Sequence, residues 1–485
     1  MSAPSSQIDP IQRMTVAESA GPSNGIGRIL LSVFELLDRS GIPYCVLHGY
    51  ESYPQRVKSD VDCVIDPRVT PAQIFALLHR NSASLGAEVV RCRGYYFVLA
   101  GRNDDGSHCF LTLDLGIDCA LDALNFYTGN EVLEGRRRHH QFWIPAAHME
   151  FGCFLARSVA KGNLDEGRAR KLSSLYRQDA ARCEIQVARF WGTQSSALIL
   201  SAARSGDWRQ VSRRLSRLRA ELRRRVIVRA PKRFIGHKVR GFVNRMSRLW
   251  RPDGLSVVLL GPDGAGKSSL IEALSGRLVG AFSRSACWGF APPLHRLLNR
   301  RRYPTDQPHA LPSRSLLTSL VRAAYWSVYY TFGYVTLHAA LARSTLVLND
   351  RHFVDILVDA KRYRYGGPQW VTRLIWHVMP KPDLVIVLDA PPEVLQSRKQ
   401  EVSFEETARQ RESYLSLVRR MANGHVVDAS QPSVQVAGDV SEVILRHLST
   451  RIARRWGLAG KRTHEIDHPT VSNIRSRALQ MSKKG

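Results

Sequence analysis

Acidic residues are scarce in this chain. Its 485 residues include 42 Asp and Glu against 70 Lys and Arg, a formal net charge of +28 at pH 7. An imbalance of that size points to an anionic partner (nucleotide, nucleic acid, anionic lipid or acidic saccharide) and says nothing about fold. Paired cysteines are absent as well. Cys45, Cys63, Cys92, Cys109, Cys119, Cys153, Cys183 and Cys287 show no C-x-x-C spacing and no accompanying histidine cluster. Zinc-binding and disulfide-stapled classes are thereby excluded, and a reducing cytoplasm suits the chain best. The polar N-terminus, MSAPSSQIDPIQRMTVAESAGPSNG, lacks the apolar core of a secretory signal. Long apolar runs are few. Residues 323–342 carry no formal charge, yet they include His338, four Tyr and two Thr. A spanning helix prefers Leu, Ile, Val and Phe at its centre, so a buried helix of a soluble core is expected there, with membrane contact as the alternative.

What remains is an ordinary globular composition, 44% hydrophobic and 23% charged. Length alone suggests about three domains of ~150 residues. Residues 1–25 read as a disordered leader rich in Ser and Pro. Residues 26–150 mix helix and strand. ILLSVFELLDRSG is amphipathic, YCVLHG and VDCVID read as short strands, PAQIFALLHRN as a helix, and YYFVLA with CFLTLDLGI as a hairpin around RNDDGS. Residues 151–252 look helical and strongly basic: residues 204–251 hold seventeen Lys/Arg against Asp207 and Glu221. Within them Ile235, Val239, Phe242, Val243, Met246 and Leu249 recur at helical spacing. Such a segment can lie on an anionic membrane or bind nucleic acid, or it can be a solvated linker whose apolar stripe docks on a neighbouring domain. Residues 253–450 alternate short Val/Leu-rich strands (LSVVLLG, STLVLND, PDLVIVLD) with helices, as in a parallel sheet covered on both faces. Residues 451–485 read as a basic, mostly disordered tail. The expected fold class is α/β, a parallel sheet flanked by helices after a smaller α/β domain and a basic helical middle.

The strongest motif is SVVLLGPDGAGKSSLIEAL. Gly261, Gly266, Lys267 and Ser268 match G-x-x-x-x-G-K-[ST] between a strand and a helix, the context a phosphate-binding loop requires. Glycines let main-chain N–H groups wrap phosphates, and the helix N-terminus contributes its positive dipole end. Lysine at this position reaches the β/γ-phosphates and the Ser268 hydroxyl ligates Mg²⁺. Downstream, Asp350-Arg351-His352 ends a strand, where an open α/β sheet presents its ligand crevice. PDLVIVLDAPPEVLQSRKQ places Arg398 on the following helix, and SFEETARQRESYLSLVRR offers Arg409 and Arg411 as a lid over phosphates.

From 255 to 450 these motifs, with the closing HVVDASQP, resemble the thymidylate kinase family of P-loop nucleoside monophosphate kinases. The resemblance implies ATP and Mg²⁺ as cofactors. It places Gly261, Asp263, Gly264, Gly266, Lys267, Ser268 and Ser269 around ATP, and Ser268 with Asp350 at the metal. It also implies that Asp263 faces the acceptor's sugar, that Arg351 grips the acceptor phosphate, and that Arg398, Arg409 and Arg411 neutralise the transferring phosphoryl group. An arginine in that last role is worth ~10³–10⁵ in rate, and Ala265 stands where some members place one inside the loop. The family's Arg-Glu-Pro-Gly segment is replaced by AFSRSACWGFAPPLHRLLNRRRYP, and the segment after DRH by FVDILVDAKRYRYGGP. The catalytic end is thus kept while the acceptor end is rewritten, so a phosphorylated acceptor other than dTMP is credible. Asp355, Asp359, Arg362 and Arg364 either line that altered pocket or form a surface charge cluster.

In the N-terminal region VLHGYESYPQRVKSDVDCVID contains Gly49 and then Asp60-x-Asp62, and Asp114 lies in LTLDL. Carboxylates at i and i+2 share one strand face, and a third from a neighbouring strand can complete a Mg²⁺ site for nucleotidyl transfer. The same residues can equally be acids at strand ends near a turn. The pattern resembles the minimal nucleotidyltransferase fold, with Tyr50 where that fold has a small residue. Joined to the kinase-like half, it resembles kinase–transferase fusions found near bacterial surface-polysaccharide pathways. Two further function classes stay open: a peripheral membrane or nucleic-acid-binding P-loop ATPase acting through residues 204–251, and a degenerate kinase kept as a scaffold. Expected partners are a nucleotide or phosphorylated small-molecule acceptor, with an anionic membrane surface, nucleic acid or a homodimer as further options. The expected location is cytoplasmic, at or away from a membrane surface.

Overall fold

The computed structural model describes residues 24–57, 60–289, 312–400 and 402–458. The expected leader and most of the expected tail lie outside these residues, as does most of the segment that stands in place of Arg-Glu-Pro-Gly. The chain opens with α1 (Asn24–Arg39), β1 (Tyr44–Val46), β2 (Val61–Ile65), α2 (Pro71–Arg80), α3 (Ser82–Leu85), β3 (Ala87–Arg93), β4 (Tyr96–Arg102) and β5 (His108–Gly116). The five strands form one sheet in the order β1-β2-β5-β4-β3, with β2 and β5 parallel and the other pairs antiparallel. The β4–β5 hairpin sits where the two apolar runs around RNDDGS place it. Strand β3, AEVVRCR, has only a short apolar stretch and gains its place by pairing with β4.

Side chains alternate across the strands, so the sheet has two unlike faces. One face carries Val61, Cys63, Ile65, Phe97, Leu99, Leu111 and Leu113 against α1 and α2. The other is divided between two covers. Val64 of β2 and Cys45 of β1 pack into a helical region, whereas Val98 and Ala100 of β4 pack against the C-terminal half of the chain. The helical region follows two small hairpins, β6 (Asp118–Leu121) with β7 (Leu124–Thr128) and, after α4 (Gly129–Leu133), β8 (Arg137–His139) with β9 (Phe142–Ile144). It comprises α5 (Ala147–Lys161), α6 (Glu166–Gln178), α7 (Ala180–Phe190), α8 (Thr193–Ser205), α9 (Arg209–Arg213), α10 (Leu215–Arg229) and α11 (Pro231–Trp250). Helices α5 to α10 share one core with the sheet, including Phe151, Leu172, Val187, Trp191, Ile199 and Leu222. They are therefore packed structure rather than a solvated linker. Helix α11 differs: its stripe of Ile235, Val239, Phe242, Val243, Met246 and Leu249 is exposed and docks on no neighbouring domain among the described residues.

The C-terminal half is a parallel sheet of β10 (Leu255–Leu260), β11 (Arg284–Trp288), β12 (Thr345–Asn349), β13 (Leu384–Asp389) and β14 (Gly424–Asp428), in the order β11-β12-β10-β13-β14. Its helices are α12 (Lys267–Arg277), α13 (Leu316–Ala342), α14 (Gln369–Val378), α15 (Pro392–Arg398), α16 (Phe404–Arg419) and α17 (Ser433–Arg455). Strand β10 is buried along its whole length, as expected for a central strand covered on both faces. Two elements depart from expectation. Helix α13 forms over the uncharged run, but only one side of it is buried, with Ala323, Trp326, Tyr329, Tyr330, Gly333, Leu341 and Ala342 turned towards the domain. Val328, Phe332 and Val335 on its far side are exposed, because nothing among the described residues covers the outer face of this outermost helix. Helix α17 runs past the expected start of the tail. Ile452 and Ala453 enter the N-terminal core and Trp456 stacks on Phe75, so residues 451–458 join the two halves.

That junction is close and charged. A Cβ at Gly280 would stand 2.3 Å from the Phe110 ring, so the β5 face approaches too near for any side chain there. Asp253 accepts from Arg93 and lies 3.7 Å from Arg455, and Glu442 of α17 accepts from Arg102 at 2.8 Å.

One fully buried carboxylate anchors the N-terminal half. Glu150 of α5 accepts from the Tyr50 hydroxyl at 2.7 Å, and Lys171 of α6 lies 2.8 Å away and Arg137 3.4 Å away. Removing one partner of a buried charged group leaves the others uncompensated, at a cost of about 3–5 kcal/mol. Glu150→Ala is expected to lower the unfolding free energy by roughly that amount in urea titrations of the full chain. A loss below about 1 kcal/mol would show that the network is solvated.

Candidate functional site

The order β11-β12-β10-β13 means that the chain leaves β10 towards one edge of the sheet and later returns on the other side. The loop after β10 therefore opens at the point where strand order reverses, the usual crevice for ligands in open α/β sheets. Gly261, Gly264 and Gly266 have φ of 144°, 87° and 83°, a region that favours residues without a Cβ. At Gly264 a Cβ would also lie 2.6 Å from the Leu395 carbonyl oxygen, so α15 seals the loop from behind. Helix α12 begins at Lys267 directly after this turn. Its first turn presents exposed Ser268 and Ser269 and the unpaired N–H groups of a helix N-terminus. The Lys267 ammonium donates to the carbonyls of Gly261 (2.7 Å) and Pro262 (3.0 Å). Burial pushes its pKa down, and Asp263, Asp355 and Asp350 oppose the shift. Asp350 and Arg351, which follow β12, thus act on Lys267 across the crevice. The donor set suits a triphosphate with a divalent cation: main-chain amides, one ammonium, exposed serine hydroxyls on the first turn of α12, and an aspartate whose charge acts on that ammonium.

Beside the loop is a small polar cavity lined by Asp263, Arg351, Asp355, Asp359, Arg362, Tyr363, Gln410 and Tyr414. Asp263 accepts from Arg362 and, at 3.5 Å, from Arg351. Burial works against the Arg351 charge, yet the surrounding Tyr363, Asp263, Asp355 and Asp350 outweigh it and raise its pKa. Asp355 is buried, which pushes its carboxyl up. It accepts from the His352 main chain at 2.7 Å and the Tyr414 hydroxyl at 2.8 Å. Asp359 accepts from Gln410 at 3.2 Å. Of the four residues expected for the rewritten pocket, Asp355, Asp359 and Arg362 are in it. Arg364 is not: its side chain donates to the Pro312 carbonyl at 3.0 Å. Tyr363, in the turn after β12, and Gln410 and Tyr414 of α16 carry no sequence signal, because an isolated Tyr or Gln belongs to no motif.

The arginines of the following helices are each engaged elsewhere. Arg398 donates to the Ala429 carbonyl at 2.8 Å, while the next residue, Lys399, brings its Cβ to 3.5 Å from where a Gly264 Cβ would be. Arg409 pairs with Glu406 and donates to the Val358 carbonyl at 3.3 Å. Arg411 makes a bidentate pair with Asp389 at the end of β13, at 2.6 and 2.9 Å.

Two of the three N-terminal carboxylates meet on the sheet, whereas Asp60 stands one residue before β2. Asp62 and Asp114 are register partners on β2 and β5, and alternation puts them on the divided face, between the helical region and the C-terminal half. Asp62 is held by the His48 ring at 3.0 Å and the Arg157 guanidinium at 3.3 Å. Desolvation and the nearby charges of Asp62 and Asp60 push the solvent-accessible Asp114 carboxyl upwards. Among the described residues no group of three His, Cys, Asp or Glu side chains stands in a metal-holding arrangement. The trio departs from the expected Mg²⁺ site in this respect, since Asp62 turns to its cationic neighbours.

His352, beside Arg351, reports on the packing of this region. Burial pushes its imidazole down to about 3, so the folded protein keeps it neutral while the unfolded chain protonates near pH 6.5. Stability from this group is complete above pH ~6.5 and is lost as pH falls towards 3. The unfolding free energy of the wild type should therefore approach that of His352→Asn by about 2 kcal/mol between pH 7 and pH 5. A gap that stays constant in urea titrations at the two pH values would contradict a buried neutral imidazole.

No protein-family model matches the chain. Among curated proteins similar to parts of it are two thymidylate kinases. Probable thymidylate kinase 1 of Saccharolobus solfataricus is 38% identical over 114 residues, 21% of this chain and 56% of that protein. Thymidylate kinase of Ectopseudomonas mendocina is 29% identical over 212 residues, 39% of this chain and 95% of its own length. The chain thus spans about half of the first relative and nearly all of the second. With the parallel sheet and its glycine loop, these likenesses give the chain a thymidylate kinase-like region.

Proposed function

We propose that the C-terminal half is an ATP- and Mg²⁺-dependent phosphotransferase that moves the γ-phosphoryl group of ATP to a nucleoside monophosphate or a related phosphorylated acceptor. The observation that carries this reading is the meeting of two structures in one crevice: the glycine loop with Asp263 and Lys267, and across from it the Asp350-Arg351 pair with Arg362, whose arginines reach Asp263. Loop amides, Lys267 and the α12 N-terminus would hold the triphosphate, and Ser268 with Asp350 would hold Mg²⁺. The cation, when bound, would neutralise charge on the β- and γ-phosphate oxygens. Arg351 and Arg362 would grip the acceptor's phosphate, and Asp263 its sugar. Lys399 and, on rearrangement of α16, Arg409 and Arg411 would supply positive charge to the transferring group. Arg398 would support that end through Ala429.

The N-terminal sheet, with Asp62 and Asp114 on one face and Asp60 just before β2, is the basis for a nucleotidyltransferase-like origin. Activity there would require Asp62 to exchange His48 and Arg157 for a metal ion. The account rests on the C-terminal site alone.

Purified full-length protein with Mg·ATP and a panel of nucleoside monophosphates and sugar phosphates is expected to release ADP with at least one acceptor. Lys267→Ala should lower kcat by roughly 10²–10³-fold or more. Arg351→Ala and Arg362→Ala should each raise the acceptor KM by roughly 10–100-fold, the worth of a charge-assisted contact to phosphate, with the KM for ATP little changed. No ADP with any acceptor, or ADP release indifferent to Lys267, would overturn the reading.

A further inference from the structure

Three neighbouring helices turn apolar stripes to the outside. On α11 the stripe is Ile235, Val239, Phe242, Met246 and Leu249, ending in Trp250, which is 83% exposed. On α13 it is Leu317, Val321, Tyr325, Val328, Phe332 and Val335, again at helical spacing and mostly more than half exposed. On α14 it is Trp370, Leu374 and Val378. The helices adjoin. His338 of α13 hydrogen-bonds the Leu249 carbonyl of α11, and α13 and α14 close over the same cluster around Phe353, Ile356 and Met379. The inward faces of α13 and α14 are thereby occupied, and the stripes of all three helices are left outside. Soluble monomers seldom expose apolar patches of this extent.

The charge around the stripes is of one sign. Residues 222–252, 316–342 and 369–378 contain no Asp or Glu, whereas Lys238, Arg245, Arg248, Arg251 and Arg373 are exposed on or beside these helices. On α11, Lys238 and Arg245 flank the apolar stripe. An apolar centre with a cationic border is what an interfacial helix needs on a surface of anionic lipid headgroups. A nucleic-acid face would instead put cations at its centre, where phosphates lie. The terminal Trp250 and the stripe's Tyr325 are residue types that favour the headgroup level. No described helix is long and apolar enough to cross a membrane, so contact would be from one side.

We infer that α11, α13 and α14 form a docking face for an anionic membrane surface, with the stripes entering the headgroup boundary and Lys238 and Arg245 meeting lipid phosphates. This is independent of the chemistry at the glycine loop and would stand if that reading fell.

The test is flotation of the full chain with phosphatidylcholine vesicles, with and without phosphatidylglycerol, across a salt series. Binding is expected with the anionic lipid, weakening as salt rises. Lys238→Ala and Arg245→Ala should each weaken it roughly fivefold. Phe242→Ser on α11 and Val335→Ser on α13 should each weaken it by about tenfold. All four side chains are on the surface, so the circular dichroism melt and Mg·ATP binding should be unchanged. Equal binding to neutral vesicles would overturn the inference, as would no binding to either. So would a concentration-dependent dimer that Phe242→Ser abolishes, or a duplex DNA or RNA shift at protein concentrations that leave vesicles unbound.

Discussion

The turn between Leu260 and Lys267 is the constraint on which the C-terminal half depends. A chain leaving a fully buried central strand must reverse into a helix within six residues, and it does so through three glycines at positive φ. That conformation points main-chain donors into the crevice instead of pairing them within a sheet or helix. The packing behind it is equally specific, since the Leu395 carbonyl fills the space that a side chain at Gly264 would need. Among the described residues, Lys267 then has loop carbonyls and nearby carboxylates as partners. Each of these features favours a polyanion in the crevice, and together they fix where Asp350 and Arg351 must stand to be useful.

The acceptor side is built differently, from a charge network rather than from backbone. Asp263 binds the tip of the loop to Arg351 and Arg362, and Asp355 and Asp359 tie the segment after β12 to α16 through Tyr414 and Gln410. Burial of so many charged groups is costly unless each has a partner. The pocket is consequently polar, which is the ground for proposing an acceptor that brings a phosphate to the arginines and hydroxyls to the carboxylates.

Legibility of the sequence follows from whether a residue's role is local. The glycine loop, β10, β12 and β13 could be read directly, because buried parallel strands are unbroken apolar runs and the loop's spacing is set by its own backbone. Asp355, Asp359 and Arg362 could be read as a charged cluster but not assigned, and Arg364 in the same run points elsewhere. Gln410 and Tyr414 matter only because α16 folds over the crevice, a tertiary fact with no local signature, while Tyr363 sits in the turn after β12 with no motif to mark it. The continuation of α17 into the N-terminal core was missed for the same reason: Ile452 and Ala453 look like part of a basic tail until Phe75 and the N-terminal helices are beside them. The basic middle divides likewise. Helices α5 to α10 lose their linker appearance once their apolar residues are seen against the sheet, and α11 keeps its stripe in the open.

The most direct measurement of the central claim is calorimetric titration of the full-length protein with a non-hydrolysable Mg·ATP analogue, repeated with the AMP analogue and with a Gly264→Val variant. The account predicts binding that depends on the triphosphate and disappears in the variant, whose side chain would collide with the Leu395 carbonyl and distort the loop. Binding equal for mono- and triphosphate, or unaffected by valine at that position, would contradict it.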